Sequence, residues 1–260
     1  MRAAGANKSW FLLLTLGWLG ATQCLAAPTS ETLFHIGSGA YRAGDYNQAA
    51  QAFREAALLK PASGTLQNLG NAEWQRGHSG EAILAWERAS WLDPFNHDAR
   101  MNLRFARKTA QLESPELAWY EVVSTWLPVN WWAWIAGSSF WIALALILLP
   151  GIFRWRKVTW PQAVAALGFA TFLLSVPAHL GVETRSHLGF ILEKDTPLRL
   201  TPTTDAQVIT RLPAGEPARL DRLHGPYALV HTGRTSGWVT RDQIGLIAQP
   251  LRPDKLALAR

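Results

Sequence analysis

The sequence predicts a multidomain membrane protein built from an α-helical repeat solenoid, a two-helix transmembrane hairpin and a small all-β barrel. Three observations predict it. Two runs without a charged residue, Val122 to Phe153 and Val158 to Val182, are separated only by Arg154-Trp155-Arg156-Lys157. Before them, six positions recur at a spacing of 33 residues. After them, short β-like segments alternate with turn residues. Composition agrees: the 260-residue chain is 48% hydrophobic and only 17% charged, against ~25% charged in a typical soluble domain.

Residues 1–26 read as a secretory signal. Arg2 and Lys8 form the basic start, Trp10 to Leu19 the apolar stretch, and Cys24-Leu25-Ala26 a small-residue site with cleavage after Ala26. The alternative is a lipidated Cys24, which Gln23 in front of it disfavours. Cleavage removes the chain's one Cys. That excludes an intramolecular disulfide framework and a thiolate-cluster zinc site.

In the repeats, Gly37, Gly44, Ala49, Phe53, Ala56 and Pro61 return as Gly70, Gly77, Ala82, Trp86, Ala89 and Pro94. Small residues let paired helices approach, the aromatic fills the groove between them, and Pro closes the second helix. The stretches Gly37 to Tyr46 and Ala82 to Ala89 resemble the tetratricopeptide repeat. A further helix at Asp98 to Leu112 repeats Asn68-Leu69 as Asn102-Leu103 and reads as a solvating cap, so that the region is 30–112. The resemblance implies a concave face for an extended protein segment, presented by Phe34, Tyr41, Arg42, Asn71, Trp74, Phe105 and Lys108. In that role Asn71 would grip a peptide backbone, and Arg42 and Lys108 would meet carboxylates. The plainer reading of each residue is packing or surface solvation.

Residues 113–128 are expected to form an interfacial helix, with Ser114 as N-cap, Pro115 at its first position, and Trp119, Val122, Val123 and Trp126 on one face. The spans are then 131–153 and 160–182, each long enough for ~30 Å of hydrocarbon. They are joined by a turn at 154–157. Arg154, Arg156 and Lys157 place that turn in the cytoplasm and both flanking regions outside. Trp126, Trp131, Trp132 and Trp134 at the outer end, with Trp155 and Trp160 at the inner turn, match an aromatic belt. His179, the only titratable group inside either span, is read as an interfacial His.

In residues 187–248, Leu192, Leu198, Leu200, Val208, Leu212, Leu220, Leu229, Val230 and Val239 are spaced as in a small barrel, and 249–260 form a tail. The order Leu198-Arg199, Leu212-Pro213-Ala214-Gly215, Tyr227 to Val230 and Gly237-Trp238-Val239 resembles the bacterial SH3-like domain. That resemblance implies that Trp238 closes the core. The Asn usual in these domains is replaced in Pro197-Leu198-Arg199, so ligand contacts do not carry over from peptidoglycan-binding relatives.

The net charge of +6 is not a nucleic-acid signature. Residues 28–121 hold 9 basic and 11 acidic side chains, and the excess lies at the ends of the apolar segments and in residues 183–260, with 11 basic and 8 acidic. A nucleic-acid binder would gather it on one face. No Gly-x-Ser-x-Gly elbow, Walker loop or His-Glu-x-x-His spacing occurs. No catalytic residue, metal ligand or cofactor is therefore expected.

The whole order, from signal through repeats and membrane hairpin to barrel, resembles the BatE-like proteins of the Bacteroides aerotolerance (Bat) systems. The resemblance implies a non-catalytic inner-membrane scaffold with both folded regions periplasmic. Its expected partners are von Willebrand A-domain membrane proteins of the same systems, with a MoxR-type ATPase on the cytoplasmic side. Repeats and barrel would supply two separate contacts on one anchor in the bilayer. Alternatives are a cell-wall sensor whose barrel binds peptidoglycan, and an accessory subunit of an exported wall enzyme.

Overall fold

The computed structural model describes residues 28–152, 160–233 and 235–248. The signal segment with Cys24, the turn residues Arg154, Trp155, Arg156 and Lys157, and the tail lie outside the described residues.

Five helices come first: α1 (Ser30–Arg42), α2 (Tyr46–Leu59), α3 (Ser63–Gln75), α4 (Ser79–Leu92) and α5 (His97–Ala110). Helices α1 and α2 form one antiparallel pair, and α3 and α4 the next. The side chains of Thr29, Asp45 and Asn96 accept backbone N–H groups of Thr32, Gln48 and Ala99, satisfying donors that helix starts leave free. Gly44 and Gly77 make the tight turns within the pairs at φ +82° and +83°, where a Cβ would be strained. The 33-residue offset has a structural counterpart. A Cβ on Gly37 would stand 2.9 Å from the Phe53 ring, and one on Gly70 would stand 2.5 Å from that of Trp86. Ser30 Oγ donates to the Ala56 carbonyl at 3.0 Å, and Ser63 Oγ donates to that of Ala89 at 2.8 Å.

From Leu112 to Ala118 the chain is non-helical, and α6 covers only Trp119–Ser124. The interfacial helix therefore does not begin at Ser114. Glu121 sets the start instead, reaching back to accept the Ala118 N–H at 2.8 Å. Two helices follow that are long and apolar enough to cross a membrane: α7 (Val129–Ile152), apolar over Val129–Leu149, and α8 (Trp160–Ser186). They pack on each other through the buried Ala143 and through Phe140, whose ring meets those of Phe169 and Phe172. Helix α8 runs past Val182 to Ser186, because Arg185 is held at its end. The guanidinium donates to Ser124 Oγ at 3.1 Å and lies 4.9 Å from the Trp91 ring.

Only His187 separates α8 from the first of seven strands: β1 (Leu188–Ile191), β2 (Thr196–Arg199), β3 (Val208–Leu212), β4 (Pro217–His224), β5 (Tyr227–Thr232), β6 (Thr235–Thr240) and β7 (Ile244–Leu246). They form one antiparallel sheet in the order β3-β2-β6-β5-β4-β1-β7. Leu212 from one edge and Ile244 and Leu246 from the other share a core with Ile191, Leu198, Val230 and Val239. The sheet is therefore curled over its own apolar face.

Five expected core residues are not in that core: Leu192 packs against the helices instead, Leu229 is half-buried beside Trp238, and Leu200, Val208 and Trp238 lie outside it as well. Leu200 and Val208 are exposed, since Leu200 lies beyond the end of β2 and β3 is an edge strand. Trp238 is only half-buried, because its neighbours Gly237 and Val239 take the inward positions. A Cβ on Gly237 would come within 2.7 Å of Leu198. Residues of a strand alternate between faces, so Trp238 must point outward.

The sheet is not a separate unit on a tether. Leu188, Phe190, Leu192 and Ile247 enter the same core as Ile83, Leu84 and Trp86 of α4. Gly80 has no Cβ to collide with the Leu192 carbonyl oxygen. Arg88, buried in the seam, donates from Nε and Nη2 to the Leu246 carbonyl at 3.2 and 2.8 Å.

Candidate interaction face

The sheet covers α4, so the first helices of the pairs and α5 carry the open face. Its seven expected residues divide into groups. On α1, Phe34 is half-buried and packs 5.7 Å from the Phe53 ring, while Tyr41 meets Tyr46 at 5.3 Å. Arg42 is exposed, with Nε donating to the Ser38 carbonyl at 3.2 Å. Between α3 and α5, Trp74 stands 5.8 Å from both Trp86 and Phe105. Phe105 is 59% exposed, and Lys108 is exposed one turn further on.

Asn71 is the residue whose expected role changes. Its Oδ1 accepts from Trp86 Nε1 at 3.0 Å and from Asn102 Nδ2 at 2.8 Å. Both lone-pair directions of that oxygen are engaged inside the protein. Asn71 therefore ties α4 and α5 to α3. The face carries Phe34, Tyr41 and Trp74 half-buried and Phe105 exposed, with the cations Arg42 and Lys108 at its ends.

Two acids tie the repeat helices together and a third ties α6 to the sheet, and the sequence reading did not single them out. Glu73, 1% exposed, accepts from Arg54, from Arg76 Nη1 at 2.7 Å and from His78 Nδ1 at 3.0 Å. Glu87 pairs with Arg107. Burial pushes its carboxyl above the ordinary range, while Arg107 and Arg185 pull it back. Glu121, 1% exposed, holds Arg219 of β4 with both oxygens, at 2.7 and 3.0 Å. Burial raises the Glu121 carboxyl, but the Arg219 and Ala118 hydrogen bonds outweigh it and hold the carboxyl below its ordinary value. Apart from Arg76 and His78, which lie close to Glu73 in sequence, the partners are 19 to 98 positions away, and no local pattern signals those pairs.

The belt tryptophans also divide. Trp126, Trp131, Trp134 and Trp160 are exposed. Trp132 is 8% exposed and its Nε1 donates to the Ser124 carbonyl at 3.3 Å, so it fixes α6 to α7 rather than facing lipid. A cleft of about 630 Å³ between α6, the end of α8 and β4 is lined by Glu116, Tyr120, Glu121, His187, Arg219 and His231. Its central cation is already neutralised by Glu121. Among the described residues, no group of three or more His, Cys, Asp or Glu is placed to hold a metal ion. On the outer face of the sheet, the half-buried Trp238 ring lies 6.2 Å from that of His224.

No family model matches the chain, and no curated protein matches it.

Proposed function

We propose that the protein is a non-catalytic, membrane-anchored adaptor that captures a partner protein on the open face of α1, α3 and α5. One observation carries this reading: the rings of Phe34, Tyr41, Trp74 and Phe105 are each set by contact with a second ring and stand on the same face as the exposed cations Arg42 and Lys108, while α4 is covered by the sheet. Preordered aromatic anchors beside cations are what protein recognition uses, because little side-chain entropy is left to lose. Helices α7 and α8 serve as the anchor. The tetratricopeptide-like spacing, the SH3-like order of the strands and the sequence of segments support placement in a Bat-type inner-membrane complex. Its folded regions would lie in the periplasm and its partners would be von Willebrand A-domain membrane proteins.

The test is affinity purification from native membranes in mild detergent, with co-eluting proteins identified by mass spectrometry. It compares the wild type with a Tyr41→Ala, Arg42→Ala, Trp74→Ala variant; Asn71 is left in place because it braces the fold. Capture of A-domain membrane proteins by the wild type and their loss from the variant is the expected result. Equal capture by both removes the face from the proposal.

The second reading is a wall sensor, favoured by the outward placement of the half-buried Trp238 beside His224, since an outward indole can stack on a sugar ring. Wall fragments co-purifying in a Trp238-dependent way, without A-domain proteins, would put this reading first.

A further inference from the structure

The helix pairs stop at α5, which has no second helix of its own. In the complete pairs, the first helix turns Leu33 and Gly37, or Leu66 and Gly70, towards its partner, and these positions are buried. The match of Asn102-Leu103 to Asn68-Leu69 aligns α5 with α3 and puts Arg100 and Arg104 at those two positions. Lys108, one turn further on, takes the position of Tyr41 and Trp74. The three cations form an i, i+4, i+8 ridge, all exposed and none paired with an acid among the described residues. Met101, 50% exposed, and Phe105, 59% exposed, border it. Arg107, on another side of α5, is already neutralised by Glu87.

We propose that this open flank of α5 docks an acidic helix of a partner protein, laid where a continuing stack would have placed its next helix. Residues four apart on a helix are neighbours about 5–6 Å apart at Cβ, so a row of glutamates on a second helix can match the ridge in spacing as well as sign. Arg104 stands where the complete pairs have glycine, so the docked helix sits further out than α2 or α4 and is held by charge. Phe105, already edge-on to Trp74, and Met101 supply the apolar contact. A small anion or a lipid headgroup would answer the cations but leave these two side chains in water. The proposal rests on the reading that the repeats bind protein; it shares Phe105 and Lys108 with the α5 end of that face and adds Arg100, Arg104 and Met101, none of which the α1–α3 part of the face uses.

The test uses the full chain in phosphatidylcholine nanodiscs and a fluorescent synthetic amphipathic helix with an i, i+4 row of glutamates flanked by leucines, followed by anisotropy. Arg100→Glu with Arg104→Glu is expected to weaken binding at least ~10-fold, through loss of two attractions and gain of two repulsions. Phe105→Ala weakens it severalfold, and added salt weakens it throughout. A scrambled peptide of the same composition binds at least ~10-fold less tightly. The Tyr41→Ala, Arg42→Ala pair leaves peptide binding unchanged, so failure of the α1–α3 face and failure of this flank are told apart. Equal binding by the charge-reversed variant, or equal binding of the scrambled peptide, overturns the proposal. So does ridge-dependent binding to phosphatidylglycerol vesicles without binding of the helix, an outcome that assigns the cations to lipid.

Discussion

Glu216, on the turn that leads into β4, is half-buried and faces Glu113 of the extended segment. Burial raises its carboxyl above the ordinary value, and the Glu113 charge raises it further. The native state therefore binds the proton more tightly than the unfolded chain does. Its ionisation is a cost that appears as pH rises through the raised folded-state value and is absent below the unfolded one. Glu216→Gln should stabilise the fold at pH 7, by under about 1 kcal/mol for a partly solvated group, read as a higher thermal unfolding midpoint, and leave the midpoint unchanged near pH 4. A lower midpoint at pH 7 would show that the carboxylate makes a stabilising contact. Glu121 has the opposite sign. Its lowered carboxyl contributes stability above the ordinary carboxylate value, and this is lost as pH falls through the folded-state one. Residue-scale legibility divides along the same line. Gly37 and Gly70 were readable because each faces an aromatic 16 residues further on, within one helix pair. Glu121 and Arg219 were not, because a charge pattern carries no information about a partner 98 positions away.

Strand β6 shows how an element can be found while its faces are misassigned. Gly-Trp-Val marks a strand, but the large indole was expected inside. Cross-strand packing decided otherwise: Leu198 fills the space above Gly237, and Trp238 pairs with Arg199 and Leu229 on the outer side. The consequence is measurable as an inverted size rule. Leu198→Ala, at a fully buried position, should cost about 2–5 kcal/mol, while Trp238→Phe should cost under about 1 kcal/mol. Chemical denaturation of the full chain in detergent would rank the two, and a larger loss from Trp238→Phe would return the indole to the core. Helix α6 errs differently. Ser114-Pro115 is a sound local start signal, yet the helix begins at Trp119, where Glu121 accepts both the Ala118 N–H and the Arg219 guanidinium. A tertiary ion pair outweighed a local cap, as propensity-scale terms of ~1 kcal/mol allow.

At the scale of the whole molecule, the repeat helices and the sheet were legible from their periods, and the two long apolar helices from their charge-free length. The seam between helices and sheet has neither. It is built from a Gly80 that resembles any other helical glycine, from an Arg88 that a surface reading would assign to solvent, and from four apolar side chains in and beside β1 and β7, of which the spacing marked only Leu192, and that as barrel core. Burial of a large apolar side chain is worth about 1.5–3 kcal/mol. The single residue between α8 and β1 keeps the sheet close to α4, so little entropy opposes docking. A partner on the α5 flank would then press on a body continuous with the membrane helices, through Arg107–Glu87 on one side of α4 and Arg88–Leu246 on the other. If the seam is cooperative, Arg88→Met, which leaves the Leu246 carbonyl without its buried donor at about 1–3 kcal/mol, should loosen both sides of it together. Hydrogen exchange of the full chain should then accelerate roughly 5- to 150-fold in peptides from α4 and from β7 alike. Acceleration confined to β7 would mean that the sheet edge frays alone, and that force or partner binding at the repeats stops at α4.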